Sequence, residues 1–168
     1  SAVGRQLARR LDAVFVDTDA EIERRIGQSI RAFFEQSGED AFRQIEAEVL
    51  DALTGGGVRT TTAFSDAVVL ATGGGIVLRP ENRQRLRTRG TVLYLYAQPR
   101  QLLRRVQNDS QRPLLQVENP LERLQALYAQ RHLLYRECAH FEIDTRGLSS
   151  SALVNHIAAR LGLSVKPE

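Results

Sequence analysis

The sequence predicts an α/β fold, a parallel β-sheet covered on both faces by helices, and three observations lead there. Short apolar runs without alternation recur at residues 13–16, 68–71 and 91–96, the pattern of strands buried on both sides. Between them lie stretches whose apolar residues keep helical spacing. An acidic pair, Asp17 and Asp19, and a run of three glycines, Gly73, Gly74 and Gly75, each directly follow one of the apolar runs. In parallel sheets, ligands gather beyond the carboxyl ends of the strands.

In chain order, Val3, Leu7 and Leu11 mark a first helix, with arginines between them, and residues 13–16 a first strand. Asp19 is placed to cap a helix over 20–26 that Gly27 ends. Ser29 offers the next cap, with Ile30, Phe33 and Phe34 on one face until Gly38 breaks the helix. Phe42, Ile45, Val49, Leu50 and Leu53 then repeat over three turns until the glycines at 55–57. Residues 58–65 are threonine-rich without a helical period and read as a surface loop; 68–71 is the second strand. Pro80 and Gly90 bracket a short arginine-rich helix, and the β-branched and aromatic residues of 91–96 make a third strand. Pro99 opens a helix to Val106, and residues 107–119 have the polar composition of a lid. Asn119 and Pro120 start a long helix to about Arg136. A strand over 140–144 follows, then a last helix marked by Leu153, Ile157 and Leu161 and ended by Gly162.

At 168 residues and 42% hydrophobic content, one domain with a sizeable core is expected. No apolar run approaches the roughly eighteen residues needed to span a bilayer, so the expectation is a cytoplasmic monomer without membrane contact. The single cysteine, Cys138, has no partner for an internal disulfide. The net charge is only +3, yet 22 of the 23 basic residues are arginine, the exception being Lys166. Arginine is the planar, bidentate partner of phosphate and carboxylate. The arginines are dispersed over many helices without interleaved aromatic residues, which argues against a nucleic-acid platform.

Four groups of residues carry chemistry. Asp17 can hold Mg²⁺ and Asp19 a substrate hydroxyl or its proton; equally, they can simply end a strand and cap a helix. The triple glycine permits positive φ and close approach of backbone to a ligand. Arg43, in FRQIEAEV, has Glu46 three residues on to orient its guanidinium, or forms with it a solvated ion pair. Arg112 in QRPLL sits where a lid could bring it to a transferring phosphoryl group, and Arg131 could bind a carboxylate bidentately. His132, beside it, has no evident partner.

Taken together, GRQLARRL, VFVDTD, EDAFRQIEAEVL, LATGGGIVL, QRPLL and AQRHLLY, in this order and spacing, resemble shikimate kinase from Ser1 to about Leu163. The resemblance implies a P-loop, nucleoside-monophosphate-kinase-like fold with a five-stranded parallel sheet and a lid. It implies one kinase domain over 1–168, with a substrate-binding helical region at about 18–54 and the lid at about 107–119. It further implies transfer of the γ-phosphoryl of ATP to the 3-hydroxyl of shikimate, with Mg²⁺, in aromatic amino-acid biosynthesis. By position, Ser1 and Asp17 would hold Mg²⁺, and Asp19 would bind the shikimate hydroxyls and act as base. Arg43 and Arg131 would grip the carboxylate and Gly74 the ring edge, with Gly73 and Gly75 completing the substrate-binding loop. Arg112 would reach the phosphates, Arg105 the adenine, and Ser150 the outer wall of the nucleotide pocket.

The pattern is departed from in three places. In the family a strand and a GxxxxGK[ST] loop precede the helix at VGRQLA, and aligned there Ser1 falls on the final Ser/Thr. The only lysine is in the tail, so the expectation is an N-terminally incomplete record of a complete kinase. As it stands, such a chain should lack a central strand and turn over negligibly. RHLLY lacks the family's usual proline, and Ser150 stands where some relatives have proline. The rival readings are a gluconate-type kinase, which should lack the paired arginines Arg43 and Arg131, and a catalytically inactive kinase-like binding module.

Overall fold

In the computed structural model, residues 1–55, 67–106, 118–164 and 166 are described, without the side chains of 104–106. Helix α1 (Ala2–Leu11) is capped by Ser1, whose Oγ accepts from the Gly4 amide at 3.1 Å, and ends on Asp12 in the left-handed region at φ 57°. Strand β1 (Val14–Asp17) leads into α2 (Thr18–Ile26), which ends on Gly27 at φ 69°. Only the lack of a Cβ makes that backbone inexpensive. Ser29 then caps α3 (Ile30–Thr54), which is interrupted at Gly38, where φ is 81° and ψ 175°.

Strand β2 (Val68–Ala71), a 3₁₀ turn (Ile76–Leu78) and α4 (Pro80–Arg89) come next, then β3 (Leu93–Tyr96) and α5 (Pro99–Val106). Helix α6 (Pro120–Cys138), β4 (Phe141–Asp144) and α7 (Ser150–Leu161) complete the order. The missing proline of RHLLY has a simple consequence: α6 runs through it as continuous helix, with Leu133 exposed on its outer side.

One expectation about local structure is corrected. Asp17, not Asp19, caps α2: its Oδ1 accepts from the Asp19 amide at 3.0 Å while its own backbone stays extended. The strand therefore delivers its last carboxylate straight into the helix start, satisfying one of the orphan amides there for about 1 kcal/mol. Asp19 is thereby released for other contacts.

All strand pairing among the described residues is parallel, as the crossover helices require. The four described strands, however, form two separate pairs: β1 with β2, in register Val14 to Val68, and β3 with β4, in register Leu93 to Phe141. Both faces of each are covered. Val69 and Leu93 pack on the cluster of Leu7, Ile143, Leu153, Val154 and Ile157 from α1, β4 and α7. Leu70 and Val92 pack on the opposite cluster of Leu50, Ile76, Val77 and Cys138. A third cluster, Ile22, Phe42 and Val49, joins α2 to α3.

Between β2 and β3 lies a cavity of about 1290 Å³, lined by Val68, Val69 and Leu70 on one side and Leu93, Tyr94 and Leu95 on the other. This explains why strands read as fully buried are mostly half-buried, with Val68 and Leu95 exposed. The edges of β2 and β3 that border this cavity are not paired with one another, and apolar surface of this kind is sticky.

Candidate active site

The carboxyl ends of β1 and β2 lie side by side, since Asp17 is registered against Ala71. The residues that follow each strand are thus brought together: Thr18 and Asp19 at the start of α2, and Thr72 to Gly75 before the 3₁₀ turn. The Gly73 amide lies 3.3 Å from Oγ1 of the buried Thr18, and the glycine loop is closed by Gly73 and Gly75 carbonyls accepting from Ile76 and Leu78.

The three glycines each face a different polar side chain. A methyl group on Gly73 would stand 2.8 Å from Asp19 Oδ1. One on Gly74 would stand 3.0 Å from Tyr135 Oη and 3.6 Å from Arg131 Nη1. One on Gly75 would collide with the guanidinium of Arg43 at Cζ and both Nη atoms. None of the three has positive φ. Of the two reasons the sequence offers for glycine here, only close approach therefore operates.

Asp19, Arg43 and Arg131, from α2, α3 and α6, thus converge on one loop although up to 112 residues separate them in sequence. Arg43 Nη1 donates to Glu46 Oε2 at 2.7 Å, and Glu39 lies 3.3 Å from Nη2. This is not a solvated pair, because Glu46 is only 2% exposed and Arg43 13%. Burial pushes the Glu46 carboxyl above its ordinary value; Arg43 opposes the shift, Asp19 adds to it and Arg131 opposes it. Glu46 thus senses the same three groups that surround the glycines. Arg131 Nε is buried without a hydrogen-bond partner among the described residues.

On the metal side, Asp17 Oδ2 lies 3.6 Å from the Ser1 nitrogen, so Ser1 and Asp17 are neighbours. A serine hydroxyl and a carboxylate are hard oxygen donors that suit Mg²⁺, and Asp17 Oδ1 is already engaged as the helix cap. No cluster of three or more His, Cys, Asp or Glu residues suited to a metal occurs among the described residues. A site here would leave most positions to water and phosphate oxygens, as is usual for this ion.

The nucleotide-side residues are placed less fully. Ser150 is exposed at the first turn of α7, after β4 on the other strand pair, and Ser149 rather than Ser150 caps that helix. Arg105 lies on α5 with its side chain outside the described residues; Arg112 and residues 107–117 of the expected lid lie outside them altogether.

Two sets of contacts on α6 escaped the sequence reading. His132 has partners: its Nδ1 lies 3.0 Å from Tyr94 Oη, and its ring stacks on Tyr128 at 4.7 Å. Tyr135 reaches the glycine loop, donating from Oη to the Gly74 carbonyl at 2.7 Å. The one available signal was spacing, because Tyr135 follows Arg131 by four residues and so shares its helix face.

The sequence model of the shikimate kinase family matches residues 1–162. The chain is 53% identical to the shikimate kinase of Paracidovorax citrulli over 165 residues, covering 98% of this chain and 86% of that protein. It is 47% identical to that of Burkholderia thailandensis over 170 residues, 99% of this chain and 88% of that one. Among solved structures, shikimate kinase from Acinetobacter baumannii in complex with shikimate superposes with a TM-score of 0.85 at 43% identity, over 95% of this chain and 85% of that one. Shikimate kinase from Aquifex aeolicus gives 0.78 at 30% identity, over 96% and 89%. Two cations and a carboxylate held around a glycine loop at the ends of parallel strands, in a sequence this similar throughout, place the chain in the shikimate kinase family.

Proposed function

We propose that the protein is a shikimate kinase, transferring the γ-phosphoryl of ATP to the 3-hydroxyl of shikimate, and that the glycine loop with its three polar neighbours is the shikimate site. One observation carries this: Asp19, Arg43 and Arg131 meet around Gly73, Gly74 and Gly75, with both cations on the side of Gly74 and Gly75 and the carboxylate at Gly73. A cyclic acid carrying a hydroxyl needs that polarity, cations at its carboxylate and an acceptor at its hydroxyl.

The geometry of the described residues and the family resemblance together support these roles. Arg43, oriented by the buried Glu46, and Arg131, with its unsatisfied Nε, bind the carboxylate. Asp19 accepts the hydroxyl proton as the oxygen bonds to the γ-phosphorus and the bond to the ADP oxygen breaks. Ser1 and Asp17 would hold Mg²⁺, which supplies charge neutralisation for the phosphates when bound. Arg112 is assigned to the phosphates, with Arg105 and Ser150 toward the nucleotide.

The chain reads as one kinase domain over 1–168. Helices α2 and α3, within 18–54, form its acceptor region, and residues about 107–119 its lid. No described helix is long and apolar enough to cross a membrane, and the free Cys138 is buried; a cytoplasmic location agrees with both and with the use of ATP.

Calorimetric titration with shikimate and with gluconate tests the acceptor, because the two share a carboxylate and hydroxyls but not the ring. Shikimate is expected to bind at least about tenfold tighter, the equivalent of 1.4 kcal/mol. Equal affinities, or a preference for gluconate, would assign the site to an open-chain acid instead.

A further inference from the structure

Helix α6 presents two residues to the glycine loop, one turn apart: Arg131 and Tyr135. Tyr135 Oη donates to the Gly74 carbonyl at 2.7 Å, and it flanks Gly74 together with Arg131 Nη1, the two atoms standing 3.0 and 3.6 Å from where a Cβ of that residue would be. Its ring is anchored from behind by Tyr94 of β3, with centroids 5.0 Å apart at 34°, and packs against the cluster of Leu50, Ile76, Val77 and Cys138. Burial raises its hydroxyl above the ordinary tyrosine value, so it stays protonated and remains a donor at neutral pH.

The consequence is geometric. Arg131 is a long side chain with several rotamers, and its useful position is defined only relative to the loop that lines the other side of the substrate. Tyr135 is the residue that holds the loop and stands beside Arg131. Two bidentate cations would grip almost any carboxylate; selecting one ring demands a fixed separation between guanidinium and loop.

We infer that Tyr135 is a positioning residue for acceptor selection: by holding the Gly74 carbonyl and standing beside Arg131, it sets the distance between the carboxylate grip and the loop against which the ring lies. This rests on the shikimate reading above. Gly74 is exposed, so its carbonyl can turn to water when the tyrosine hydroxyl is removed. Tyr135→Phe, which keeps the ring and its packing, should therefore fold as the wild type does.

The test is a double-mutant cycle read by calorimetry with shikimate and with its neutral carboxamide, on wild type, Tyr135→Phe, Arg131→Ala and the double variant. Tyr135→Phe is expected to weaken shikimate by about 3- to 10-fold, the net worth of one hydrogen bond, while the carboxamide changes less. In the Arg131→Ala background the same substitution should change shikimate affinity by less than about twofold, because the group it positions is gone. A purely structural tyrosine would weaken both ligands alike in both backgrounds, and that result overturns the inference. So does unchanged shikimate affinity in Tyr135→Phe when the wild type binds. A wild-type chain that takes up no shikimate overturns the site assignment itself, and the inference with it.

Discussion

Gly75→Ala is expected to lower shikimate affinity by roughly 100-fold or more, the scale on which losing a buried charge contact acts, in a chain that still folds but with reduced stability. The backbone is no obstacle, since Gly75 sits at φ −84° and ψ −4°, where alanine is comfortable. The obstacle is Arg43, whose guanidinium lies flat against the glycine where a Cβ would be. A flexible arginine usually swings away from such a clash. This one is held by Glu46 at 2.7 Å and Glu39 at 3.3 Å and lies over the Phe42 ring at 5.1 Å. The new methyl must therefore break the pair or tilt the guanidinium out of the site. Gly74→Ala is the internal comparison, because its methyl meets only a tyrosine hydroxyl at 3.0 Å and an arginine tip at 3.6 Å; it should cost clearly less. Titration of both variants with shikimate decides the matter, and equal affinities for Gly75→Ala and wild type would remove Arg43 from the site.

Arg43→Ala is expected to be costly for stability as well, by about 3–5 kcal/mol, because it strands a buried carboxylate. Glu46 is already above its ordinary carboxyl value through burial, with Arg43 as the chief opposing influence. Without the arginine the shift grows. The folded state then holds a proton that the unfolded chain, titrating near 4.5, has already released. Where the native state binds more protons, stability falls as pH rises. The gap between Arg43→Ala and wild type should accordingly be smallest near pH 4.5 and widen upward until Glu46 ionises in the folded variant. Urea unfolding at pH 5 and pH 8 measures it; a gap that does not change with pH would mean that Glu46 is not the stranded group. Adding Glu46→Gln to Arg43→Ala should recover much of the loss and flatten the dependence, since an amide pays no ionisation cost.

Local rules explain how much of this was readable in advance. Ser29, Gly27, Gly38 and Gly162 all do in the structure what their residue types suggest, capping or breaking helices. Those effects are decided within a few residues. The placement of Asp17 and the glycine run after apolar strands was readable for the same reason, as were the helices that carry Arg43 and Arg131.

Errors arose where two local solutions were nearly equal in energy. Both Asp17 and Asp19 can cap a helix one or two residues away, and only the pairing of β1 with β2, which holds Asp17 extended opposite Ala71, chooses Asp17. Glycines likewise permit either positive φ or close approach; the arrival of Arg43, from a helix position 32 residues upstream of Gly75, decides for the second. The solvated ion pair and the buried one are identical as sequence, since i and i+3 on a helix meet in both. Packing of Glu46 beneath the loop makes it the buried kind.

The sequence by itself determined the order of the main elements, the helix breaks and the caps other than that of α2, and which polar residues stand at the ends of strands, because each depends on the conformational preferences of a few neighbouring residues. Only the tertiary structure decided that Asp19, Arg43, Arg131 and Tyr135 share one glycine loop. That convergence depends on strand register and helix packing across the whole chain, and contact between side chains so remote in sequence leaves no periodic trace along it.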